Sequence, residues 1–73
     1  MIKNRDVACQ ISDLMIEFSK KIDNSVRVVQ EQCSVEEFRQ YRLAAGRVLG
    51  EILLEIMNPL YGEHPGLKPE GLD

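Results

Sequence analysis

The sequence predicts an all-α chain: an antiparallel hairpin of two long helices followed by an extended Pro/Gly-rich tail. Three observations predict it. From Arg5 to Gln32 there is neither glycine nor proline, and apolar residues recur in steps of three and four. Ser34-Val35-Glu36-Glu37 has the form of a capping box, which starts a second helix directly after the first. All three prolines (Pro59, Pro65 and Pro69) and three of the five glycines lie beyond Met57.

The first helix is expected over about residues 5–32, with Asn4 as its N-cap. Val7, Ile11, Leu14, Met15, Phe18, Ile22, Val26, Val29 and Cys33 fall in one stripe, about 120° wide at about 100° per residue. Ser25 shares that arc, while Asp13, Glu17, Lys20, Arg27 and Glu31 lie opposite. Glu17 with Lys21, and Asp23 with Arg27, are i,i+4 pairs in the favourable order. Asp23-Asn24-Ser25 is the weak point, because all three have poor helix propensity. A kink or break there is the alternative to one continuous helix.

The second helix is expected over about residues 35–57. It should stop there because the residue before Pro59 is pushed out of helical conformation. The one or two residues left for the turn force the helices to run antiparallel. Phe38, Tyr41, Ala45, Val48, Leu49, Ile52 and Ile56 form the seam expected to face the first helix. Leu43, Gly46, Gly50, Leu54 and Met57 form a second line on nearly the opposite side. Two apolar sides call for two neighbours, so this second line is the expected self-association seam. Gly46 and Gly50 each cost about 1 kcal/mol relative to alanine in a helix interior. Their place within that line reads as close approach of a neighbouring helix, against the plainer reading of two glycines on a solvated face. Ile2, Cys9 and Ile16 make a thinner second line on the first helix.

Residues 1–57 are thus read as the hairpin and 58–73 as the tail. Asn58 and Pro59 can open one short turn, from which Leu60 and Tyr61 should pack on the end of the bundle. The last six to eight residues are expected to be loose.

A chain of 73 residues is one domain with little capacity for a core of its own. It has no tryptophan and only four other aromatic residues, Phe18, Phe38, Tyr41 and Tyr61. Its aliphatic faces are best buried by pairing, most simply as a homodimeric four-helix bundle. A different protein as partner would serve the same end. The net charge is −3, with residues 1–33 balanced, so the strong basic excess of a phosphate-binding protein is lacking. Cys9 and Cys33, 24 residues apart on one helix, would stand about 36 Å apart, far beyond disulfide reach. No signal-type apolar core follows Lys3 and Arg5, and Glu51 and Glu55 interrupt the apolar run from Val48 to Met57. Reduced thiols, a cytoplasmic location and no membrane partner are the expectation.

No catalytic, cofactor or metal site is expected. His64 has no second histidine or C-x-x-C to share a metal with, and reads as a solvated tail residue. Cys9 and Cys33 read as small packing residues. Glu51 and Glu55 read as a solvated acidic face, because carboxylate metal sites in bundles use Glu-x-x-His. The expected function is a small non-enzymatic interaction or regulatory module acting through helix–helix self-association. The alternative is an RNA- or DNA-binding hairpin dimer. It would use Arg39, Arg42 and Arg47, three bases with no acid between Phe38 and Gly50.

Overall fold

The structure, a computed structural model, describes residues 1–69. Two long helices dominate it: α1 over Arg5–Gln32 and α2 over Val35–Glu51. The Asn4 side chain accepts a hydrogen bond from the Val7 N–H at 3.1 Å and so starts α1. No break occurs at Asp23-Asn24-Ser25. Ser25 turns its hydroxyl back to the Ile22 carbonyl at 2.6 Å, and α1 continues to Gln32.

Cys33 and Ser34 make the turn. The Ser34 hydroxyl accepts from the Glu37 N–H at 3.1 Å, while the Glu37 carboxylate accepts from the Ser34 N–H at 3.3 Å. This reciprocal pair starts α2 without a spacer. The two helices then run back along each other, tied at Ser25–Tyr41 near the turn, and at the open end Ser12 of α1 bonds Tyr61, which lies beyond α2.

The side of α1 that becomes covered runs through Ala8, Ser12, Met15, Ser19, Ile22 and Val26. Those steps of four and three make a helical row, and half of its residues are small. The expected stripe included the next row, Val7, Ile11, Leu14 and Phe18, which lies about 100° further round. Small side chains let α2 come close on their own row, so the bulkier row stands to one side. Val7, Leu14 and Phe18 remain exposed there.

The expected end of the second helix at Met57 is corrected by the structure. Helical backbone continues from Glu51 through a π-helical segment, Ile52–Met57, into α3, Asn58–Glu63. The Asn58 N–H bonds to the Leu53 carbonyl, five residues back. Pro59 has no N–H with which to close an α turn, and the wide turn just before it lets the ladder change register. The register change also has a packing consequence. On an uninterrupted α-helix, Met57, Leu60 and Tyr61 would point about 100° away from the row of Ala45, Ile52 and Ile56. One residue taken up by the π turn rotates them back by about that angle. Met57, Leu60 and Tyr61 are accordingly buried, and with Ala8 and Met15 they form the core cluster.

Leu60 and Tyr61 therefore pack on the end of the helix pair, as expected, but they do so as part of its centre of burial. Residues Pro65–Leu67 form a single 3-10 turn, and Leu67 packs on the cluster. The chain start is held against this end: the His64 Nε2–H donates to the Ile2 carbonyl at 2.7 Å. Ile2 itself has φ of 56°, a left-handed conformation unusual for a β-branched residue. Of the last six to eight residues, expected to be loose, 70–73 lie outside the described ones, and among the rest Leu67 packs on the cluster. No helix among the described residues is long and apolar enough to cross a membrane.

Candidate interaction surfaces

The outer side of α2 carries the seam expected to mediate self-association. Leu43 and Leu54 are well exposed there, at 65% and 62%. Gly46 and Gly50 have nothing within 4 Å of where a Cβ would stand, so no neighbour within the chain exploits their lack of a side chain. Met57 does not belong to this surface. It is buried in the core at 5% exposure, because the π turn rotates it away from Leu43 and Leu54.

The three arginines do not gather into one patch. Arg39 and Arg42 flank Leu43 at a shallow cleft on the outer side of α2. Arg47 instead lines a groove with Val48, Glu51 and Glu55, beside two acids. Among the described residues none of the three arginines makes an ion pair.

Other polar groups find structural uses. His64 is half-buried and bonded to Ile2, which corrects the expectation of a solvated tail histidine. Tyr61 and Ser12 satisfy each other's hydroxyls inside the core at 2.6 Å. Cys9 and Cys33 are both free and exposed, so they are not the packing residues expected. Cys9 lies about 90° round α1 from the covered row, and Cys33 caps the C-terminal end of that helix. No group of three or more His, Cys, Asp or Glu among the described residues is placed to hold a metal ion.

A third surface was not separated from the core by sequence reading. On one broad face of the hairpin, Val7, Leu14 and Phe18 of α1 stand beside Tyr41 and Val48 of α2. The bond between the Ser25 and Tyr41 hydroxyls, 2.7 Å, shows that these rows share a face. Seven residues, two helical turns, separate Ser25 from Phe18 and Tyr41 from Val48, so Phe18 and Val48 stand at one level. Phe18 is 46% exposed and Val48 51%. Half-buried Ile11, Ile22 and Ile52 fill in between. The opposite face has an apolar groove lined by Ile16, Leu49, Leu53 and Met57, together with Lys20 and Asp23.

The chain is extended, measuring 44 × 19 × 16 Å. Its radius of gyration is 14.4 Å, against about 11 Å for a compact domain of this length. Comparison with known protein families, characterised proteins and solved structures finds no match to this chain.

Proposed function

We propose that this protein is a small non-enzymatic interaction module that works by self-association, two hairpins pairing into a four-helix bundle. The observation that carries the reading is an excess of surface. The chain exposes 5518 Å², whereas a folded monomer of 8.3 kDa ordinarily exposes about 4,600 Å². The difference of about 900 Å² is close to the roughly 800 Å² that each partner buries in a stable interface. Large apolar side chains are exposed on both long helices, among them Val7, Leu14 and Phe18 of α1 and Tyr41 and Val48 of α2. Ser12, Tyr61 and His64 are engaged in holding the fold, and no group of three or more His, Cys, Asp or Glu is gathered among the described residues, which supports a binding role over a metal-dependent one. Two exposed, unpaired thiols suit a reducing compartment, so we place its work in the cytoplasm.

Sedimentation equilibrium across micromolar concentrations tests the reading. The expected result is a dimer whose melting temperature rises with concentration. A monomer with a concentration-independent melt overturns it and leaves the apolar flanks to a different protein.

A second reading has one observation in its favour: Arg39 and Arg42 are unpaired and stand together beside exposed Leu43. A nucleic acid held there would dissociate steeply between about 50 and 200 mM salt, as counterions return to its phosphates. Filter binding with RNA and duplex DNA over that range separates the readings. Arg47, grouped with Glu51 and Glu55, adds little to such a site.

A further inference from the structure

We propose that the surface a second copy covers is the face of Val7, Leu14, Phe18, Tyr41 and Val48, not the glycine-bearing outer side of α2. The inference rests on the self-association reading and deepens it by choosing the surface.

Two adjacent rows of α1 have the spacing of a buried seam. The row of Ala8, Ser12, Met15, Ser19, Ile22 and Val26 already has its neighbour, α2. The row of Val7, Ile11, Leu14 and Phe18 carries the larger side chains and has only part of one. A helix with a small-residue row for one neighbour and a bulky row for another is built for two contacts at about a right angle. That is the position of a helix at the corner of a four-helix bundle.

The α2 side of the same face repeats the pattern. Ala45, Ile52 and Ile56 turn toward α1 and the core, while Tyr41 and Val48 sit on the flank. Both helices therefore present apolar flanks to the same side, and a second hairpin laid on it covers both at once. Phe18 stands near the midpoint of α1, 13 residues from Arg5 and 14 from Gln32. In a two-fold interface centred there, Phe18 meets either its own copy or Val48 of the second copy, which stands at its level.

The outer side of α2 is a poorer choice. Its exposed leucines, Leu43 and Leu54, belong to a single helix, and the glycines between them offer little area to bury. A face that draws on two helices offers more apolar area toward the roughly 800 Å² each partner buries than this single ridge does. Arg39 and Arg42 line the same side, and two-fold pairing there would set like charges against each other.

The test compares charged substitutions on the two surfaces by sedimentation equilibrium, with circular dichroism to confirm folding. Phe18→Glu is expected to weaken dimerisation by about a hundredfold or more, because each interface holds the residue twice. Leu54→Glu is expected to leave it within about threefold. A cross-linking arm does not depend on a charge being tolerated. In a chain with Cys9→Ser and Cys33→Ser, Phe18→Cys alone, or mixed with Val48→Cys chains, should oxidise to a covalent dimer. Leu54→Cys should not. If Leu54→Glu dissociates the dimer and Phe18→Glu does not, the chain still self-associates but this face is wrong. If the unsubstituted chain is monomeric, the self-association reading falls and this one with it.

Discussion

Ser12 and Tyr61, 49 residues apart in the chain, share a buried hydrogen bond of 2.6 Å between their hydroxyl oxygens. It joins α1 to α3 at the centre of the core, and the two partners should respond differently to truncation. After Tyr61→Phe, Ser12 can turn back to the Ala8 carbonyl, as Ser19 does to Met15 and Ser25 to Ile22. A cost of about 1 kcal/mol is expected. After Ser12→Ala, the buried phenol keeps a donor that its own helix cannot satisfy, and about 2–3 kcal/mol is expected. The double variant should cost less than the sum. Urea melts of the four chains measure that coupling.

Pro59→Ala tests what sets the register of the π segment. Alanine restores an N–H and makes an uninterrupted α-helix available, with a gain of about 1 kcal/mol in hydrogen bonding. That register would turn Met57, Leu60 and Tyr61 out of the core. Their burial contributes about 1.5–3 kcal/mol each, so packing should win and the π turn should persist. The expected result is an unchanged near-ultraviolet tyrosine signal and a stability change within about 1 kcal/mol. Loss of the tyrosine signal would show that proline, and not packing, holds the register.

Gly46→Ala and Gly50→Ala should each stabilise the chain. Nothing stands within 4 Å of either added Cβ, and alanine gains up to about 1 kcal/mol of helix propensity. For a domain this small, that is a rise of roughly 4–8 °C in melting temperature. Dimerisation should not change. Weaker assembly with either alanine would return the interface to the outer side of α2.

Ser34→Ala should cost about 1 kcal/mol, because the capping box starts α2 directly after a two-residue turn. Thermal melts by circular dichroism suffice. Glu37→Gln should cost less, since a side-chain amide oxygen can also accept from the Ser34 N–H.

The parts of this fold that were legible in the sequence are those decided within a few residues. Asn4, Ser34 and Glu37 announce their caps because capping is a contact three residues long. The apolar spacing of residues 5–32 outweighed the weak propensity of Asp23, Asn24 and Ser25, and the last of these found a bond to Ile22. What stayed hidden depends on a neighbour. Rows 8-12-15-19 and 7-11-14-18 have the same spacing, and side-chain size decides which one α2 reaches. Reading by hydrophobicity favoured the bulkier row, since Ala8, Ser12 and Ser19 look indifferent on that scale. The π turn was hidden because Asn58-Pro59 resembles a stop. One sign of it was present: Met57, Leu60 and Tyr61 fall about 100° off the Ala45–Ile52–Ile56 row, and only a register change reconciles the two. Once made, that change removes Met57 from the surface seam to which its spacing had assigned it.

Because the core cluster sits at the open end of the hairpin, the order in which the molecule closes is opposite to the order in which it is held. The turn at Cys33 and Ser34 brings neighbouring residues together first, within microseconds, yet little is buried there. Ala8, Met15, Leu60 and Tyr61 are far apart in the chain and meet last, but their burial secures the whole. Backbone amides around Met15 and Leu60 should therefore exchange with solvent most slowly. Those of Val28 to Phe38, next to the shortest connection in the molecule, should exchange fastest of all the helical amides. The closed end frays, and the open end is the lock.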